Sequence, residues 1–396
     1  MATKVLDVEV TEIPVEINGL SPYERALVLF RFRGRPVAQR YLSIANGCIS
    51  RKQLYDVLMQ MDSWPLWQEV LYEFLHWSDV GTKDTALQLA TIAVCTRDRP
   101  DYLKRCLDAL MEMPDDGQEF LVIDNCPSTE TSRDIVAAYG DRVRYVRENR
   151  PGLNVARNRA LREATYDLVV FNDDDAVPDP GWLRALLPNF SDPSVLCVTG
   201  LTMPLELETE AQEWFERYSP FGRGFTREVY DMVRLHPLAA GRVGAGANMA
   251  LRRSILDLVG PFNEALDGGT PTYSGGDTEM FSRILAAGYR IVYEPAALSW
   301  HRHRRSWKEL CQITYGYGVG VYAMWTQKLL YDRELSVPLF AWRWLWYEQL
   351  PRFVRSLLRR QDAIPLDLCL AELRGCLTGP PAYLKSRRKL KMRRNN

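Results

Sequence analysis

Residues 167–175 read DLVVFNDDD, an apolar run that stops on three consecutive aspartates, Asp173, Asp174 and Asp175. A short continuous apolar run fits a strand buried on both faces of a parallel sheet, and the carboxylates then mark its carboxyl end. The same texture recurs upstream at LQLATIAVCT (87–96) and EFLVIDN (119–125), and RVRYVREN (142–149) reads as a further, shorter strand. Helical patterns separate these runs at 100–111, 129–139 and 155–163, the last with Asn154 as a candidate cap. Strand–helix alternation predicts an α/β fold with a parallel sheet, helices on both faces and a ligand site at the strands' carboxyl ends. Polar residues stand at those ends: Thr96-Arg97-Asp98-Arg99, Asp124-Asn125 and the three aspartates.

Neighbouring carboxylates repel by about 1 kcal/mol even in water, and by more in a cleft. A hard divalent cation relieves this, and Mg²⁺ or Mn²⁺ typically takes one or two carboxylates plus substrate phosphates. A solvated acidic turn ahead of Pro178 and Pro180 explains the aspartates equally well from this stretch alone. A second acidic group lies in YSGGDTEMFSRILAAGYRIVYEP (273–295), where Asp277 and Glu279 follow two glycines and open an amphipathic helix. Carboxylates are favoured at a helix N-terminus, so a capping role alone would account for Asp277. The next strand delivers His301 and His303, two of only four histidines in the chain, and one of them could complete a metal site.

Taken in order, these pieces resemble the inverting glycosyltransferases of family 2, which have the GT-A, Rossmann-like fold of nucleotide-diphospho-sugar transferases, a mixed, mostly parallel sheet with helices on both faces. The resemblance rests on TIAVCTRDRP (91–100), VIDN (122–125), NRPGLNVARNRAL (149–161), VVFNDDDAVPDPGWL (169–183), GAGANMALRR (244–253) and the segment 261–304, and covers about residues 89–305. It implies that Thr96, Arg97 and Arg99 wall the nucleotide pocket and that Asp124 reads the edge of a uracil ring. It implies that Arg157 lies at the nucleotide and its diphosphate. Asp173 and Asp175 match the D-x-D positions, with Asp174 beside them at the donor and Asp175 as direct metal ligand, joined by His301. Asp277 matches the general base that takes the acceptor's proton in a one-step, inverting displacement. The cofactor implied is Mn²⁺ or Mg²⁺, the donor a UDP-sugar, and the acceptor a hydroxyl on a glycan, a lipid-linked molecule or a small molecule. GAGANMAL resembles the segment lining donor sugar and acceptor. Its glycines do not form G-x-G-x-x-G, so a dinucleotide site is not supported. One departure stands out: the family commonly has Glu-Asp where this chain has Gly276-Asp277, and Glu279 is the nearest candidate to compensate.

Outside this segment, residues 1–85 read as a small α+β module, with strands at 25–33 and 37–44 joined at Gly34 and helices at 51–61 and 65–77. Residues 86–305 are the expected catalytic domain and 306–396 a helical C-terminal region. Gly316, Gly318 and Gly320 there are spaced for close packing. Trp342, Trp344 and Trp346, interleaved with Arg343 and followed by Arg352, Arg355, Arg359 and Arg360, fit either an interfacial helix at a membrane or a helix packed on the catalytic domain or a homodimer partner. Pro351 interrupts that pattern, and the chain closes on the basic KSRRKLKMRRNN.

With 396 residues, 50 basic against 50 acidic side chains and a formal net charge of zero, no global field favours a polyanion, which argues against a nucleic-acid partner. Eight cysteines without a C-x-x-C pair read as reduced thiols in a cytoplasmic protein. No signal peptide and no apolar stretch of about 18 residues is evident, so the expected location is cytoplasmic, with peripheral contact at the inner face of the membrane as its extension. Two other readings are open. A nucleotidyltransferase shares the fold, although TRDRPDYL (96–103) lacks the glycines of its first loop, and residues 1–85 could instead serve a carbohydrate-binding or assembly scaffold.

Overall fold

The computed structural model describes residues 2–61, 63–75, 88–360 and 363–395. The module boundary expected at 78–85, and the end of the helix expected at 65–77, lie outside them.

The chain begins with β1 (Thr3–Glu9), β2 (Glu16–Ile17), β3 (Arg25–Phe32), β4 (Arg35–Ser43) and β5 (Ile49–Ser50), followed by α1 (Arg51–Gln60) and α2 (Trp64–Phe74). β1, β3 and β4 form one sheet, with β3 in the centre. Ser50 and Gln53 cap α1 reciprocally, which satisfies two free N–H groups of its first turn. Val28 and Phe30 face Leu54 and Leu58 of α1, whereas Leu27 and Leu29 face the opposite way, as strand alternation requires. That second face packs on Leu201, Met203, Tyr293 and Leu298 of the main sheet and on Leu207 just beyond β11.

The main sheet comprises β6 (Ala90–Thr96), β7 (Glu119–Asn125), β8 (Val143–Glu148), β9 (Leu168–Asp173), β10 (Ala176–Pro178), β11 (Val195–Pro204), β12 (Glu228–Tyr230), β13 (Asn248–Arg252) and β14 (Arg290–His301). Their order is β10-β14-β11-β13-β9-β6-β7-β8, with β12 paired to β14. The sheet is mixed, as expected for GT-A, and each parallel ladder is longer than any antiparallel one. Helices cover both faces. On one, Ile92, Val94, Val122 and Val170 pack with Leu103 and Leu107 of α3 (Pro100–Met111) and Trp182 of α6 (Trp182–Leu186). On the other, Ala93, Leu121, Ile123 and Phe171 pack with α5 (Leu153–Glu163) and α9 (Gly276–Ala286). The shorter helices are α4 (Thr131–Ala137), α7 (Glu210–Tyr218) and α8 (Ile255–Leu258).

The C-terminal region is helical, as expected: α10 (Trp307–Tyr331), α11 (Val337–Trp344), α12 (Leu350–Leu357) and α13 (Leu366–Asn395). α10 lies directly against α13. A Cβ at Gly318 would overlap the Glu372 carbonyl, and one at Gly375 the Tyr315 carbonyl, so the backbones touch where only glycine fits. Pro351 does not break the helix as its position suggested. A π-helical stretch, Leu345–Gln349, joins α11 to α12, and Pro351 falls in the first turn of α12, where a missing N–H is tolerated. All eight cysteines are unpaired; Cys106, Cys197, Cys369 and Cys376 are buried and the others partly so. Among the described residues no helix is long and apolar enough to cross a membrane.

Candidate active site

Parallel pairing brings the polar strand ends side by side. Thr96 is in register with Asp124, and Cys95 with Asp173, so the carboxyl ends of β6, β7 and β9 form one rim. A cavity of about 1190 Å³ opens there. Its wall includes Thr96, Arg97, Arg99, Arg157, Asp173–Asp175, Asp277 and His301, and it extends to Tyr315, Arg352 and Glu372 of the C-terminal helices.

Asp173, Asp175 and His301 each present a ligand atom within 4.8 Å of the others. Residues so far apart in sequence meet because β10 pairs with β14, setting Ala176 opposite His301. His301 Nε2 lies 3.1 Å from Asp175 Oδ1. Asp175 Oδ2 lies 3.1 Å from Arg99 Nη1 and 3.3 Å from Arg304 Nη2. Asp174 turns the other way, accepting from Thr96 Oγ1 at 2.8 Å and Arg99 Nη1 at 2.9 Å.

The three carboxyls titrate very differently. Burial and the charge of Asp175 raise Asp173. Asp174 is pushed up to about 6 by burial and by Asp175, against the pull of Arg99. Burial also opposes ionisation of Asp175, but the His301 charge and hydrogen bond, with Arg304 and Arg99, hold that carboxyl below the usual range. His301 is raised in turn: burial lowers it, and Asp175 outweighs burial. Carboxylate oxygens from Asp173 and Asp175 with one imidazole nitrogen are a donor set that fits Mn²⁺ or Mg²⁺.

Of the two candidate histidines only His301 joins this cluster. His303 stands behind it, its Nδ1 3.4 Å from His301 Nδ1 and its Nε2 3.1 Å from Glu216 Oε2. Burial, with the neighbouring His301, keeps His303 neutral, and burial pushes Glu216 up to about 8. A neutral Glu216 therefore meets His303 through a hydrogen bond rather than an ion pair. That contact orients the His303 ring, and through it the ring nitrogen His301 turns toward Asp175.

Asp277 opens α9, with Oδ2 accepting from the Gly246 N–H at 2.8 Å and Oδ1 from the Thr278 N–H at 2.7 Å. Arg157 is buried beside it and is anchored by Asp267, Nη1 to Oδ2 at 2.8 Å. The structure thus places Arg157 against Asp267 near Asp277. Position 276 has no room for a side chain: a Cβ there would overlap Asp267 Oδ2 and the Asn154 amide. The space beside position 276 is taken by Asp267, which comes from a neighbouring turn. Glu279 does not compensate. It is buried, turned from the cavity, and bonded to Arg283 at 2.8 and 2.9 Å.

Asp124 is fully buried at the rim, next to Asn125, which lines the cavity. Its Oδ2 accepts from Tyr145 at 2.8 Å, while Oδ1 has no partner among the described residues. Burial raises this carboxyl against the pull of Tyr145. Arg97 is half-exposed and lies 3.8 Å from Asp98. Sequence reasoning missed Arg304, Asp267, Asn154 and Glu216. The run His301–Arg305 carried a signal for Arg304, whereas Asp267 and Glu216 gain meaning only from what they pack against.

Residues 91–259 match the family described as Glycosyl transferase family 2. This segment is similar to family 2 glycosyltransferases. A pre-mycofactocin glycosyltransferase of Mycobacterium tuberculosis is 30% identical over 223 residues, 55% of this chain and 44% of the relative. The glycosyltransferase AglE of Haloferax volcanii is 23% identical over 249 residues, 61% of this chain and 75% of that one. Among solved structures, the mannosyltransferase PcManGT of Pyrobaculum calidifontis, in complex with GDP-Man and Mn²⁺, is similar over 80% of this chain and 81% of its own, with a TM-score of 0.45 and 17% identity. The chain spans under half the length of the M. tuberculosis relative.

Proposed function

We propose that this chain is a metal-dependent, inverting glycosyltransferase that moves a sugar from a nucleotide-sugar, a UDP-sugar, to a hydroxyl acceptor. The observation that carries this reading is the presence, on one cavity wall, of the Asp173–Asp175–His301 cluster and Asp277. Bound Mn²⁺ or Mg²⁺, held by Asp173, Asp175 and His301, would supply Lewis-acid stabilisation of the leaving diphosphate. Thr96, Arg97 and Arg99 hold the nucleotide side, with Arg99 also balancing the charge of Asp174 and Asp175. Asp124 is assigned to the uracil ring, and its unpartnered buried oxygen supports this, since such an oxygen has an acceptor site to offer an N–H donor. Arg157 is assigned a place beside Asp277, at the sugar end of the donor. Asp277 takes the proton of the attacking hydroxyl, a role worth roughly 10²–10⁴-fold. Attack from the face opposite the leaving diphosphate inverts the anomeric carbon.

The acceptor, a glycan, a lipid-linked molecule or a small molecule, is assigned to the part of the cavity walled by α10, α12 and α13. Residues 1–85 are read as an accessory module, 86–305 as the catalytic domain and 306–396 as the acceptor-side region, with the chain working in the cytoplasm at the inner membrane face. The test is release of UDP from a panel of UDP-sugars. Turnover is expected to need Mn²⁺ or Mg²⁺ and to fall at least hundredfold in Asp277→Asn. Undiminished turnover in EDTA, or in Asp277→Asn, overturns the reading.

A further inference from the structure

We propose that the outer face of α11, the π-helical stretch and α12 binds the surface of an anionic lipid bilayer, lying in its interfacial layer. The backbone stays helical from 337 to 357. Its inner side is anchored: Trp344 packs on Trp325 and Tyr322, Phe340 on His236, and Gln349 and Ser356 are buried. Its outer side is apolar and open, with Leu335 81%, Leu339 55%, Trp342 52%, Trp346 55% and Leu357 57% exposed. Leu339, Trp342 and Trp346 follow one another at spacings of three and four residues, about one helical turn each, and so share a face. These side chains therefore make one continuous stripe. Trp342 and Trp346 stand in it as a stacked pair, with ring centroids 6.2 Å apart.

A soluble monomer rarely leaves so long an apolar stripe uncovered. What borders it identifies the occupant. Arg343, Arg355 and Arg359 are exposed and form no ion pair among the described residues. Tryptophan and leucine flanked by exposed guanidinium groups suit the boundary between acyl chains and anionic headgroups, where rings bury and cations meet phosphate. A second copy on a two-fold axis would set these arginines against one another, a like-charge contact a bilayer avoids. The same helix places Arg352 on the cavity wall, so the membrane-bound face adjoins the acceptor side of the cavity. The proposal stands whether or not Asp277 is the base, because it rests on surface chemistry alone.

The full-length protein is floated with vesicles of phosphatidylcholine alone and of phosphatidylcholine with 30% phosphatidylglycerol. Binding is expected to be at least tenfold greater on the anionic vesicles, to weaken as salt rises, and to shift tryptophan emission to the blue. Trp342→Glu with Trp346→Glu is expected to reduce it at least tenfold, and Arg343→Gln with Arg355→Gln and Arg359→Gln to remove the preference for anionic lipid, both with unchanged melting curves. Absence of binding to either vesicle overturns the proposal. So does binding that both variants leave intact, which moves the contact to the basic C-terminal tail. A dimer in sedimentation, dispersed by the tryptophan variant without any vesicle binding, overturns it in favour of a second copy.

Discussion

At position 276 a single methyl group has nowhere to go, because Asp267 Oδ2 and the Asn154 amide already occupy the space. Asn154 is itself pinned by the Asn263 and Leu266 carbonyls, and Asp267 by Arg157, so neither can yield without breaking a buried contact. Gly276→Ala is therefore expected to cost about 1–3 kcal/mol through overpacking. It should also lower turnover at least tenfold by displacing Arg157 beside Asp277. Thermal melts and steady-state kinetics on the same preparation check both. Gly276→Glu, which restores the family's residue, should do worse than alanine in this background, and a wild-type rate in that variant would show that Asp267 does not hold the space. Glu216 offers a second test, with a definite sign in pH. Its carboxyl titrates near 4.5 in the unfolded chain and at about 8 in the fold. Both states are protonated below 4.5, so the stabilisation is complete there and is lost as pH rises from 4.5 through 8. Glu216→Gln keeps a hydrogen-bonding group toward His303 and has no charge to bury. Its melting temperature is expected to match wild type near pH 5 and exceed it by several degrees at pH 9. Parallel pH-dependent slopes for the two proteins would count against a buried, protonated Glu216.

Among the elements, legibility followed how a segment finds its partners. β6, β7 and β9 are continuous apolar runs covered on both faces, and these strands with the edge strand β8 fall within three residues of their expected bounds. α3 matches its expected bounds, because Pro100 sets its start and a four-residue apolar period carries it. β10, β12 and β13 were not legible as strands. Each is three to five residues long and exists by pairing with β14 or β9, so its identity lies in a distant partner. The site divides in the same way. Asp173, Asp175, Asp277 and His301 stand at element ends and could be found from the pattern. Asp267 sits in a turn in left-handed conformation (φ 82°) and acquires its place only when that turn folds back on α5. In α10 glycines at 316, 318 and 320 would cost about 1 kcal/mol each relative to alanine in an isolated helix. Their value appears only where α13 and the 273–275 turn come within contact of its backbone.

At the scale of the whole molecule, equal numbers of acidic and basic side chains conceal a cavity rimmed by buried carboxylates and a C-terminal stretch rich in basic residues. The first sheet braces the acidic half. Leu27 and Leu29 share a core with Leu201 and Met203 of β11 and Leu298 of β14, the Thr3 N–H donates to the Leu207 carbonyl at 2.8 Å, and Arg31 reaches Asp179 at 2.7 Å just beyond β10. β14 and β10 are the strands that bring His301 to Asp175, so this support lies directly behind the candidate metal cluster. Removing residues 1–61 would uncover Leu201, Met203 and Leu298, each worth about 1.5–3 kcal/mol when fully exposed, against a typical stability of about 5–15 kcal/mol. The full chain is accordingly expected to melt in one transition, seen alike by far-ultraviolet circular dichroism and tryptophan fluorescence, with a midpoint raised by Mn²⁺. The truncated chain is expected to lose at least 10 °C, or to aggregate, and to show no shift with Mn²⁺. Two transitions in the full chain, with the one that responds to Mn²⁺ unchanged after truncation, would mean that the first sheet folds apart from the site it covers.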